Sequence, residues 1–106
     1  MKKVDYEYYK ELVLQEIPDE PCGKHYKDIA FNIGLDSRTT RDIIRMLRDN
    51  GVPICSNLKE GYWMARTSSE IQEVINMFAS YINSMRSTLA SLEFTKIERM
   101  KEEGLL

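Results

Sequence analysis

Ile29-Ala-Phe-Asn-Ile-Gly34-Leu-Asp-Ser-Arg-Thr-Thr40-Arg-Asp-Ile-Ile-Arg45-Met-Leu-Arg-Asp-Asn50-Gly51 is the stretch on which the fold turns. Its two glycines mark the ends of two helices, because glycine takes the left-handed conformation of a helix C-terminal cap without steric cost. Between them Ser37 is suited to cap a helix N-terminus, its hydroxyl accepting from the amide of Thr39 or Thr40, and the helix is predicted to run to Asn50. The apolar spacing puts Thr40, Ile43, Ile44 and Leu47 on one stripe. Arg38, Thr39, Arg41, Asp42, Arg45 and Arg48 fall on the opposite face, where the core makes no use of them. A shorter helix is predicted ahead of Gly34, from about Lys24 to Ile33, burying Tyr26, Ile29, Ala30 and Ile33.

Working outward, Asp5 to Ile17 carries Tyr8, Tyr9, Leu12, Val13 and Ile17 on one helical face and is stopped by Pro18. The prolines and glycine of Pro18-Asp-Glu-Pro-Cys-Gly23 make a loop. Downstream, Val52–Asn57 and Tyr62–Arg66 are two β-prone runs separated by Leu58-Lys59-Glu60-Gly61, the pattern of a hairpin, with Pro53 pointing to an edge strand. Tyr62 and Trp63 face opposite sides of their strand, and Trp63 is read as structural. Thr67 or Ser68 then caps a helix that can run from about Ser69 to Glu103 with no proline or glycine to interrupt it. The expected fold class is α+β, mainly α: a three-helix domain with a β-hairpin over residues 1–66, and a long helical extension over 67–106.

The alanine of the second helix, the Gly34 turn, the Ser37-Arg38-Thr39 helix start, Leu47-Arg48 near its end, Gly51-Val52-Pro53-Ile54 and Gly61-Tyr62 occur together and in register. In this the chain, over roughly residues 10–66, resembles the winged helix-turn-helix domain of biotin-repressor-like regulators, and is similar in general type to phage-encoded proteins. The resemblance implies a winged-helix fold and binding of double-stranded DNA, with helix 37–50 in the major groove and the hairpin as the wing.

The residues support the same expectation independently. From Ser37 to Arg48 there are four arginines and one acid, whereas the chain as a whole has a net charge of −2 and gathers carboxylates towards its two ends. A helix fits the major groove, its N-terminal residues reaching base edges while neighbouring cations neutralise phosphates. Arg38 is the first candidate for a base contact, since arginine pairs bidentately with guanine. Ser37, Thr39, Asp42 and Arg45 come next, and Arg41 and Arg48 are assigned to phosphate. The alternative is a solvated face with intrahelical pairs such as Arg38 with Asp42. Lys24, His25 and Lys27, at the start of the second helix, and Lys59 in the hairpin turn are further candidates for the DNA backbone, each also readable as a surface residue, the reading favoured for His25.

Other classes are disfavoured. One histidine, two cysteines without metal-ligand spacing, no glycine-rich phosphate loop and no carboxylate cluster beside a nucleophile argue against an enzyme, a metal centre or any cofactor. No apolar run approaches the ~20 residues of a membrane span. Cys22 and Cys55, with no secretory leader pattern, are expected to be reduced and buried in a cytoplasmic protein. A sequence-specific transcriptional regulator is the favoured function. A replication or recombination accessory protein, or a winged helix that binds protein instead of DNA, are the alternatives, the acidic balance favouring the last.

Ile71, Ile75, Phe78, Ile82, Met85, Leu89 and Leu92 recur at spacings of four and three, a heptad seam, and only Glu73 and Arg86 carry charge between Ile71 and Leu92. One side of the helix is expected to pack on the first helix and the other to need a partner. At 1.5 Å per residue a helix of about 35 residues is about 52 Å long, against about 25–30 Å for a domain of about 65 residues. Either the helix overhangs and forms a homodimer, the favoured expectation, or it breaks near Ser87–Thr95 and folds back.

Overall fold

The computed structural model describes residues 4–19 and 22–106; Glu20 and Pro21, part of the predicted loop, lie outside the described residues. The element order is α1 (Tyr6–Glu16), α2 (Tyr26–Ile33), α3 (Ser37–Asp49), β1 (Ile54–Asn57), β2 (Gly61–Met64) and α4 (Ser68–Glu102). The class is α+β, mainly helical, with one antiparallel hairpin. Among the described residues no helix is long and apolar enough to cross a membrane.

Each helix starts and stops for a local reason. Asp5 caps α1 by accepting from the amide of Tyr8, and Ile17 closes it in extended conformation ahead of Pro18. Gly34, at φ 71°, ends α2, and Leu35 and Asp36 complete a three-residue turn into α3. Ser37 was expected to cap α3, but it is the first helical residue; the cap is Asp36, whose carboxylate accepts from the amide of Thr39 at 2.9 Å. A carboxylate also suits the positive end of a helix dipole better than a hydroxyl does. Thr67 and Glu70 form a reciprocal capping box at the head of α4, the Thr67 hydroxyl accepting from the Glu70 amide while Glu70 accepts from that of Thr67. At its far end Gly104 turns left-handed and the Leu105 amide reaches back to the Met100 carbonyl. α4 is continuous through Ser87–Thr95, so it does not break there.

The core gathers Val13 and Ile17 of α1, Ile29 of α2, Ile43, Ile44 and Leu47 of α3, and Ile54 and Met64 of the hairpin. The whole predicted α3 stripe is buried, Thr40 included; its hydroxyl donates to the Asp36 carbonyl at 2.8 Å and so carries no unmet polar group inside. On α1 the expected apolar face is corrected: Tyr8 is exposed, and Leu14 packs on the core instead. Cys55 is buried as expected, whereas Cys22 is exposed.

The hairpin pairs Ile54 with Met64 through to Asn57 with Gly61, with Leu58–Glu60 as the turn. Both strands are shorter than predicted. On the outer side of β2, the amide of Lys24 donates to the Tyr62 carbonyl at 2.9 Å and the amide of Tyr62 to the Lys24 carbonyl at 2.8 Å. Lys24 therefore behaves as a one-residue third strand, which is why α2 starts at Tyr26 and not at Lys24. β1 is left as the edge, with Pro53 at its entrance.

The chain divides into two compact units, the first ending at Val74 and the second beginning at Ile75. The first turns of α4 belong to the first unit, with Val74 buried and Ile71 half-buried.

Truncating the fully buried Ile43 to alanine is expected to cost about 2–5 kcal/mol in urea unfolding of the full chain. Hydrogen bonding from Thr39 holds the Asp36 carboxyl below its ordinary pKa. The native state therefore favours the ionised form, and its contribution is present above the ordinary aspartate value and lost as pH falls through the lowered one. Asp36→Asn should flatten the acid limb of the stability–pH curve; an unchanged limb would remove the cap's role.

Candidate nucleic-acid interface

Because α3 lays its apolar stripe into the core, the helix period leaves Arg38, Arg41 and Arg45 exposed together on its outer side. Ser37, Thr39 and Asp42 are half-buried at the edges of this face. Arg45 lies seven positions after Arg38, a span of about 10 Å along the axis, or about three base pairs of duplex. Among the described residues Arg38 and Asp42 form no ion pair, so the intrahelical pairing that could have neutralised the face is absent.

Arg41 is held in a defined place. Its guanidinium lies 4.7 Å from the ring centroid of Tyr26, the first residue of α2. Stacking on an aromatic face occupies the plane of the guanidinium and leaves its in-plane N–H groups directed outwards, where they can still donate. Tyr26 was expected only as a core residue; half-buried, it also serves as this platform.

Arg48 departs from expectation. Sequence spacing assigned it to the free face as a phosphate contact, but its Nε donates to the Ile54 carbonyl at 2.8 Å and one terminal nitrogen to the Ser56 hydroxyl at 3.0 Å. The same guanidinium lies 5.5 Å from the Tyr62 ring centroid. Arg48 thus ties the C-terminal end of α3 to both strands of the hairpin. The long arginine stem lets a residue on the polar side reach round to a strand backbone, a reach that a helical wheel does not represent.

The cations near α2 separate into two groups. Lys24 is turned inward, its ammonium 3.2 Å from Glu16, which also accepts from the Asn32 amide at 2.6 Å. The Asn32 hydrogen bond, followed by that from Lys24 and its charge, lowers the pKa of Glu16 against the opposing effect of partial burial. Lys24 is therefore a joint between α1 and the hairpin, not a free cation. His25 places Nε2 3.2 Å from the Lys59 carbonyl, bringing the start of α2 to the hairpin turn. Lys27 and Lys59 are exposed. Sequence reasoning had no signal for the Glu16–Asn32 and Lys24–Tyr62 contacts, which join residues far apart in the chain.

Trp63 is half-buried on the strand face opposite Tyr62, and Tyr62 packs on the core. Among the described residues no group of histidines, cysteines and carboxylates could hold a metal ion. No family model, curated protein or solved structure matches the chain.

The two arginine classes should separate by stability. Arg48→Ala, which leaves a strand carbonyl and a hydroxyl without their charged donor, is expected to cost about 1–3 kcal/mol. Arg38→Ala and Arg45→Ala, on the exposed face, should stay within about 0.5 kcal/mol of the parent. Equal losses in thermal or urea unfolding would place Arg48 back on the free face.

Proposed function

We propose that the chain is a winged-helix protein that binds double-stranded DNA in a sequence-specific manner, with α3 in the major groove and the β1–β2 hairpin as the wing, in the manner of a transcriptional regulator. The observation that carries this reading is the concentration of Arg38, Arg41 and Arg45 on the exposed side of a helix whose other side is core. Three exposed like charges on one face, of which only Arg41 packs against a neighbour, repel one another; a polyanion relieves that repulsion and releases its own counterions in the process. The three-residue turn between α2 and α3, and the extended Lys24 beside β2, support the winged-helix arrangement. In this reading Arg38 reads a base from the N-terminal turn, with Ser37, Thr39, Asp42 and Arg45 beside it, and Arg41, Lys27 and Lys59 hold the backbone. The acidic balance of the whole chain does not oppose it, because screening limits charges more than about 10 Å away at ordinary salt.

A protein-binding role is the second reading. It is favoured by Phe31, 86% exposed on α2, and Leu58, 99% exposed in the hairpin turn, two large apolar side chains left in water.

Titration of the protein with duplex DNA over a range of salt separates the two. Each neutralised phosphate contributes about −0.9 to the log–log slope, so three cations predict about −3 for each protein chain engaged. Arg38→Ala should lose about 1–3 kcal/mol on a selected site and relax its preference, while Lys59→Ala should weaken all sequences alike. No binding at low salt would leave the protein-binding reading.

A further inference from the structure

From Ile75 onward α4 is exposed along most of its length, with Met77 and Met100 half-buried, and Ile75, Phe78, Ile82, Met85, Leu89 and Leu92 are 37% to 72% exposed. These six lie on one stripe of the helix, alternately three and four residues apart. The opposite side holds Ser80, Ser84, Ser87 and Ser91, and between Val74 and Leu92 the only charged residue is Arg86. We infer that this stripe is the seam of a homodimer, covered by the same stripe of a second copy of the chain.

Three features select a second copy as the occupant. The first is register: a 3–4 repeat drifts about 20° per heptad on a straight helix, and the surface that follows such a drifting stripe over several turns is another helix with the same repeat. Two copies provide it without any further component. The second is charge. Heterologous coiled-coil pairing is usually specified by charges flanking the seam. Here the flanking positions are Ala79, Tyr81, Arg86, Thr88 and, beside the last seam residue, Glu93, which carry one charge of each sign and so no pattern for an oppositely charged partner. A membrane surface is disfavoured on the same ground, since interfacial helices carry a strongly basic polar face and this one is serine-rich. The third is area. Side chains of this size, about half exposed, each present about 100 Å². Two facing copies then withdraw about 1,200 Å² from water, the area at which stable specific interfaces begin. The seam ends where Glu93, Lys96, Glu98 and Arg99 restore charge to the helix.

This inference does not rest on DNA binding, and its test uses no DNA. Sedimentation of the full chain at tens of micromolar should give twice the mass of one chain. Ile82→Glu, at the middle of the stripe, should return the mass to that of one chain, while Ser80→Glu on the serine side should leave it doubled. Fluorescence of Trp63, in the first unit, checks that Ile82→Glu has not unfolded that part. A parent that sediments as a single chain, or an Ile82→Glu variant that keeps the doubled mass with Trp63 emission unchanged, overturns the inference. So does dissociation by Ser80→Glu as complete as that by Ile82→Glu. If the parent is single but gains mass only with another protein, the seam belongs to that partner and the homodimer is wrong.

Discussion

Two backbone hydrogen bonds, between Lys24 and Tyr62, set the geometry on which the rest of the first unit depends. They fix the hairpin to the segment immediately ahead of α2. Such an approach is tolerated because the neighbouring positions lack side chains. A Cβ on Gly61, which sits at φ 87°, would lie 2.5 Å from the Lys24 carbonyl group, and one on Gly23 would collide with the Glu60 carbonyl. Arg48 supplies the second tie, from the end of α3 to the strands. With α2 leading into α3 through only three residues, the exposed side of α3 and the hairpin turn cannot move independently. The surface we assign to DNA is therefore set by backbone pairing and one buried-edge arginine, while the side chains of Arg38 and Arg45 stay on the exposed side of α3.

That division of labour explains how a chain with a net negative charge can carry an attractive face. α3 spends its apolar stripe on the core and leaves Arg38, Arg41 and Arg45 outside, with Asp42 between them and Asp49 at the end of the helix. Lys24, one of the cations that sequence position placed nearby, is paired with Glu16, which also accepts from Asn32 in a local polar joint. A cluster of unneutralised charge on a scaffold that satisfies its polar groups elsewhere is a local inconsistency of the kind expected at functional surfaces.

Much of this was legible in the sequence because it is periodic or punctuated. The α3 stripe, the Gly34 turn, the hairpin and the length of α4 follow from spacing and from residues with unusual backbone freedom. What was not legible is what depends on single contacts at long sequence separation. A one-residue strand at Lys24 has no pattern to detect, so the start of α2 was placed too early. Asp36 and Ser37 are both good capping residues side by side, and spacing cannot rank them; the geometry of the turn chose Asp36. Arg48 lies on the polar side by helical phase, and only the position of β1 shows that its guanidinium is engaged. Similarly, Val74 belongs to the first unit because of what buries it, although it lies inside an unbroken helix.

The proposal for α3 is tested most directly by amide chemical-shift mapping with a duplex carrying a selected site. Binding through α3 and the hairpin turn predicts that shifts concentrate at Arg38–Arg45 and Leu58–Glu60, with the amides of Ile82–Leu92 unmoved. Shifts confined instead to α2 around Phe31, or absent at saturating duplex, would contradict it.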